Sequence, residues 1–180
     1  KITFAAGELT TDWVFAAANS LTMTTSGNAQ SAAAAIAVIV RGVVLSVSMV
    51  MDAADKFATK VTTAVTTFSF TAQSDVPTGG TITITLPANY FSAKASPAGV
   101  LVPASGTATL TATCTMTAAT LTIVCTTATA VLPAGAHKIT FAAGELKTGG
   151  AFAAANSLTM TTSGNAQSAA AAIAVIVQGA

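Results

Sequence analysis

The 180-residue chain contains one long stretch twice, so any fold proposed for it has to make the same structure two times over. Lys1–Gly42 (KITFAAGELTTDWVFAAANSLTMTTSGNAQSAAAAIAVIVRG) recurs as Lys138–Gly179 at a constant offset of 137 residues. The copies differ only at Thr10/Lys147, Asp12/Gly149, Trp13/Gly150, Val14/Ala151 and Arg41/Gln178. Five differences in 42 aligned positions exclude chance. The expected organisation is a tandem repeat of about 137 residues, with 1–41 the C-terminal strands of a preceding unit and 42–180 one full unit. Rods and polymers of stacked modules need such an arrangement; enzymes do not.

The boundary between copies is the second constraint. Ala32–Met51 (AAAAIAVIVRGVVLSVSMVM) is nearly continuous apolar sequence. Its length would suit a membrane span, but Arg41 would sit at the centre at a cost of about 2.5–3.5 kcal/mol, and no basic residues flank it. A buried helix suits the alanines, yet Ile36, Val38, Ile39, Val40, Val43, Val44 and Val47 are β-branched and disfavour it. Strands fit best. Ile36, Val38 and Val40 fall on even positions, whereas Val43, Leu45, Val47, Met49 and Met51 fall on odd ones, so the inward face is expected to switch at Arg41-Gly42. With only two residues between strands, adjacent units should abut without a flexible linker. The expected joint residues are Ile36, Val38, Val40, Val43, Leu45 and Val47, with Ile173, Val175 and Val177 in the second copy.

Strand signals recur at 43–51, 61–71, 81–86, 107–117, 120–127, 138–142, 156–162 and 169–177, separated by turn residues such as Pro77-Thr78-Gly79-Gly80. Eight short strands per unit point to an all-β fold, an Ig-like or jelly-roll antiparallel β-sandwich. Ser92–Gly106, with Pro97, Gly99, Pro103 and Gly106 spaced through it, reads as a loop. Trp13, present in the first copy only, marks either a contact specific to that copy or plain loop variation.

The sharpest local inference concerns Thr107–Thr127. Leu110, Ala112, Cys114 and Met116 share one face of the first run, and Leu121, Ile123 and Cys125 one face of the second. A hairpin turning near Ala119-Thr120 sets Met116 opposite Ile123 and Cys114 opposite Cys125. Opposed strand residues lie about 4.5–5.5 Å apart at Cα, within disulfide range. A Cys114–Cys125 bridge would imply an oxidising, extracellular setting. Thr109, Thr111, Thr113 and Thr115 then line the wet face.

Composition limits the partners. Charged residues make up 7% of the chain, and its net charge is +1; a typical soluble domain has about 25% charged residues. With a single arginine, Arg41, nucleic acid is not an expected partner. Hydroxyls replace charge: 32 Thr and 13 Ser hydrate the surface and offer sites for O-linked sugar. Asp52 and Asp55 beside Lys56 and Lys60 read as a solvated turn rather than a calcium site, since only Asp75 could add a third carboxylate. His137 has no nearby partner in sequence and reads as a surface or edge residue. No hydrolase, zinc or phosphate-loop motif occurs, so neither catalysis nor a metal or cofactor is expected.

The TITITLPANYF segment (81–91), the Thr-rich cysteine hairpin and the AHKITFAAGEL segment (136–146) resemble the long repetitive extracellular proteins of algae and other protists, including glycosylated surface fibrils. Ser96-Pro97 and Val102-Pro103 are similar to the settings in which plant and algal wall glycoproteins carry sugar on hydroxylated proline, which adds Pro97 and Pro103 to the candidate acceptors. The resemblance implies sugar coating and self-assembly into filaments. Joining of units by a shared strand is similar in principle to bacterial pilins. The functional expectation is a structural subunit of an extracellular, O-glycosylated filament, with no membrane span, in which a boundary strand of one unit completes the sheet of its neighbour. Two alternatives stand beside it: an adhesin stalk with Ser92–Gly106 as binding loop, and an ice-binding protein using its Thr-x-Thr rows.

Overall fold

Period-two alternation of threonine with apolar residues makes strands throughout the part of the chain that the computed structural model describes, residues 19–21, 34–35, 42–92, 94–103, 110–117, 121–127, 130–153 and 155–179. The chain divides into two units, Lys1–Arg41 and Gly42–Ala180. In the first, β1 (Asn19–Leu21) pairs antiparallel with β2 (Ala34–Ala35), setting Asn19 opposite Ala35 and Leu21 opposite Ala34.

The second unit contains β3 (Gly42–Val50), β4 (Thr66–Ala72), β5 (Thr81–Thr85), β6 (Ala98–Pro103), β7 (Leu110–Thr117), β8 (Thr122–Thr127), β9 (Gly135–Phe141), β10 (Asn156–Thr162), β11 (Asn165–Ala166) and β12 (Ala171–Ala172). Here β10 and β12 pair with Asn156 opposite Ala172 and Leu158 opposite Ala171, the register of β1 and β2 moved on by 137 residues. The same sequence makes the same local ladder in both units.

The fold is all-β, but the strands do not form the two open sheets of a sandwich. Hydrogen bonding runs β3-β4-β9-β6-β7-β8-β5-β10-β11 and returns to β3, a closed barrel of nine strands. Closure removes the exposed edges that an open sandwich would leave. Eight of the nine junctions are antiparallel and one, β11 with β3, is parallel. A ring with an odd number of strands must contain such a junction, because strictly alternating directions cannot close on an odd count.

Inside the barrel Phe68, Phe70, Ile82, Ile84, Leu101, Ile123, Ile139, Phe141, Leu158 and Met160 pack together. They alternate with threonines on the outer face, as in β4 and β5. One expectation changes. The proposed loop over 92–106 contains β6, an internal strand between β7 and β9. Its inward positions are Gly99, Leu101 and Pro103. Arg41, where a face switch is expected, lies outside the described residues; within β3 the inward face changes between Leu45 and Ser48, where β3 carries one residue more than β4 and Ser46 takes φ 51°. Before this bulge Val44 points inward; after it Val47, Met49 and Met51 pack on the core.

Candidate functional site

Of the residues expected to join units, Ile173, Val175 and Val177 lie along the segment that closes the barrel, and Val43, Leu45 and Val47 lie on β3 beside it. After β10 the chain turns at Ser163-Gly164 and runs back beside it, with the Ser168 N–H donating to the Met160 carbonyl at 2.8 Å. On its other flank this segment meets β3 in parallel, Asn165 opposite Gly42 and Ala166 opposite Val43. It stays parallel to the far end, where Val177 bridges Phe57 and exchanges hydrogen bonds with Lys56 and Ala58 at 3.0 and 2.8 Å. The chain therefore begins the barrel beside Asn165 and leaves it beside Phe57, at opposite ends. A ladder of two residues is a short closure, and the buried Asn165 side chain reinforces it. Its Oδ1 accepts from the Ser74 N–H at 2.8 Å, while Nδ2 donates to the Ser74 carbonyl at 2.9 Å and to Thr162 Oγ1 at 2.8 Å.

Of the expected joint residues, Ile36, Val38 and Val40 lie outside the described residues. Val43 and Val47 are half-buried, Ile173 is buried, and Leu45, Val175 and Val177 are exposed. Ala169–Val177 sits in its own barrel, so the closing strand of this unit comes from within the unit.

The Val177 end is plugged by loops. Tyr90 and Phe91 stack edge to face at 5.0 Å, Phe152 meets Tyr90 at 5.6 Å, and the Tyr90 hydroxyl donates to the Ala174 carbonyl at 3.0 Å. Burial pushes the Tyr90 phenol well above its ordinary range. Thr148, fully buried, ties two loops together: its Oγ1 donates to the Phe57 carbonyl and accepts from the Lys60 N–H. The outer side of this plug carries Phe57, Val61, Val175 and Val177, which are 41–48% exposed. Sequence reasoning missed the plug because its partners, such as Tyr90 and Ala174, are 84 residues apart.

The cysteine hairpin forms in the expected register, Cys114 opposite Cys125 and Met116 opposite Ile123. The disulfide is present, with Cα atoms 4.1 Å apart. Gly99 on the neighbouring strand makes room for it, since a Cβ there would lie 2.5 Å from Cys114 Sγ. Outward-facing threonines on β7, β8, β5 and β10 line up in cross-strand rows: Thr113, Thr126 and Thr81; Thr115, Val124, Thr83 and Thr161; Thr117, Thr122, Thr85 and Thr159.

Among the candidate sugar acceptors, Thr113 and Thr115 are exposed, Thr111 lies in β7, and Thr109 is outside the described residues. Pro97 and Pro103 are buried. A sugar on either ring would have to enter the packed interior, so the proline sites are set aside.

Two titratable groups differ from their sequence reading. Asp55 is not a solvated turn residue: it is fully buried and accepts from the Thr63 N–H and hydroxyl and the Ala64 N–H at 2.7–3.0 Å. Burial alone would raise its pKa, but these hydrogen bonds and the Lys60 charge hold it below the usual carboxylate value. Asp52 caps the adjoining 3-10 turn through the Ala54 N–H, and Asp75, at the Gly42 end, accepts from the Ala134 N–H. Among the described residues no three metal-ligating side chains converge. His137 is buried, not a surface residue. Its Nε2 donates to the Pro133 carbonyl at 2.8 Å, which leaves Nδ1 buried without a partner. Burial lowers its pKa, partly offset by the Pro133 bond.

Glu145 accepts from Lys94 Nζ at 2.7 Å and from the Ala98 N–H at 2.6 Å, bonds that hold its carboxyl below the ordinary value. A cleft of about 390 Å³ is lined by Ser46, Ser69, Thr71, Val102, His137 and Lys138, which bring hydroxyls, the imidazole and one amine to it. No helix of the described residues is long and apolar enough to cross a membrane. The geometry is that of a framework with two distinct ends, and the chain, compared with protein-family models, curated proteins and solved structures, matches none of them.

Proposed function

We propose that this chain is a structural subunit of an extracellular filament, in which β-barrel units follow one another along the polypeptide in tandem. The observation that carries the reading is the path of the chain: it begins the barrel at Gly42 and leaves it at Val177 on the opposite end. The duplicated sequence places only Arg41 between Val40, the counterpart of Val177, and the first residue of β3. A path of this kind lets one unit follow another without a return connection.

The expected strand sharing between consecutive units takes a narrower form here. The closing strand runs parallel to β3, and parallel neighbours need a crossover of about a dozen residues or more. A strand joined to Gly42 by so short a connection cannot take that place beside the same β3. The joint along the chain is therefore the short covalent connection together with facing barrel ends. The disulfide favours an oxidising compartment, and exposed Thr113 and Thr115 are the preferred sugar acceptors.

Electron micrographs of native material test the reading. The nine residues of β3 span about 30 Å at ~3.3 Å each, so with its end loops a unit should give an axial repeat of roughly 30–45 Å. Dispersed globules with no such repeat would refute it. Intact-mass measurement should show hexose additions above the 17.6 kDa polypeptide, and a bare mass would remove the glycan. The row Thr117-Thr122-Thr85-Thr159, unbroken across four adjacent strands, favours ice binding as a second reading; thermal hysteresis of the purified chain is its test.

A further inference from the structure

All five positions at which the two copies differ fall at one end of the described barrel. Lys147, Gly149, Gly150 and Ala151 lie in the loop between β9 and β10, which the bonds of Gly149 to Thr59 and Tyr90 and of Lys147 to Ser92 hold in the plug at the Val177 end. Gln178 directly follows Val177. Drift without selection would scatter over every exposed position. Instead Ala142, Ala143, Ser163, Ala166 and Gln167, all exposed, are the same in both copies.

Four of the five differing positions, 147, 150, 151 and 178, are exposed. The same end carries the exposed apolar side chains Phe57, Val61, Val175 and Val177. Its exposed charges are Lys60 and Lys147 against Asp52, a net basic balance. Among the described residues, the only charge on the turns at the Gly42 end is the exposed Asp75. A Cβ at Gly150 would meet nothing within 4 Å. A tryptophan there, the residue of the first copy, would project into open space, and tryptophan is a frequent anchor of protein interfaces.

We propose that the Val177 end is a docking surface for a second copy of this chain, which presents its Gly42 end. The residues at 147, 149, 150, 151 and 178 then set which copies fit together. This rests on the filament reading and adds the face and the residues that govern pairing. Amine acylation followed by peptide mass mapping tests it on native fibres, with the isolated 180-residue chain, diluted until monomeric, as reference. Lys60 and Lys147 should lose reactivity roughly tenfold in fibres, as side chains shielded from water at an interface do. Lys138, exposed on β9, should react equally in both and so reports any general shielding by sugar. Fibres with the proper axial repeat but fully reactive Lys60 and Lys147 would overturn the docking surface and leave the filament standing. Native material without fibres would remove both.

Discussion

Gly149 offers the most direct test of how the Val177 end is packed. Its N–H donates to the Tyr90 carbonyl at 2.9 Å, and its carbonyl accepts from the Thr59 N–H at 2.7 Å. Between these bonds an added Cβ would lie 1.7 Å from the Asn89 carbonyl oxygen, a backbone atom that cannot swing aside. Gly149→Ala therefore has to separate the loops around 59, 90 and 149. Overpacking of this kind costs about 1–3 kcal/mol, and weakening two backbone hydrogen bonds adds about 0.5–1.5 kcal/mol each. A central value near 4 kcal/mol, at roughly 3–4 °C per kcal/mol for a domain of this length, lowers Tm by about 12–16 °C. Gly150→Ala is the control, since nothing lies within 4 Å of a Cβ there; it should change stability by less than about 0.5 kcal/mol. Thermal unfolding followed by circular dichroism reads both. If Gly149→Ala melts within about 2 °C of the parent, the close approach to Asn89 is wrong. Gly149→Asp, which installs the residue of the first copy, should be worse still, because it also buries a charge without a partner.

Other perturbations reach the rest of the barrel. Replacing Cys114 and Cys125 together by serine should lower stability by about 2–3 kcal/mol, the short-loop end of the disulfide range, measured by urea unfolding; no change would mean that the bridge does not form in the isolated protein. Asn165→Ala removes three buried hydrogen bonds, so a loss of about 2–4 kcal/mol is expected, with amide exchange quickening first at Gly42–Val44; unchanged exchange there would show that Asn165 does not hold the closing pair. Stability should fall with pH in two stages. His137 has a lowered folded pKa, so its contribution is complete above the unfolded value near 6.5 and is lost as pH falls below it. Asp55 and Glu145 are also lowered, so theirs is complete above the unfolded carboxylate values near 4 and is lost as pH falls further. His137→Phe should erase the first stage only, and a profile flat from pH 7 to about 5 in the parent would contradict the burial of a neutral imidazole.

How much of this could be read beforehand depends on how local each determinant is. The hairpin at Cys114 and Cys125 was legible because strict alternation with one wet face pins the register, and a slip of one residue would turn every threonine inward. The strand β6 was obscured by residues that normally break strands. Gly99 is there to clear Cys114 Sγ. Pro103 lies past the last residue of β6 that pairs with β7, Leu101 opposite Leu110, so its missing N–H interrupts no β6–β7 bond. The change of inward parity after Val40 was visible, but a β-branched run such as Val43-Val44-Leu45 fits either face, and only the positive φ at Ser46 locates the bulge. The buried Asp55 and the Tyr90 plug depend on partners distant in sequence or on backbone N–H groups, neither of which leaves a periodic trace. Closure of the ring was least legible, because two residues, Asn165 and Ala166, are too few to carry a pattern.

Strand parity connects the fold to the proposed filament. In an antiparallel ring with an even number of strands, the first and last lie side by side in opposite directions, so the chain begins and ends at the same end of the barrel. Copies connected by one or two residues would then have to fold back on one another. Nine strands, with the single parallel junction between β11 and β3, send the closing segment the other way. The chain is delivered beside Phe57 instead of returning to Gly42. Direction thus depends on the least extensive pairing in the ring, and the Asn165 bonds to Ser74 and Thr162 are what make that pairing specific. The same nine residues, Ala32–Val40, precede Arg41-Gly42 in the first copy. A unit that always leaves by the end opposite its beginning can be repeated without a linker, and the end by which it leaves is where the two copies have been allowed to differ.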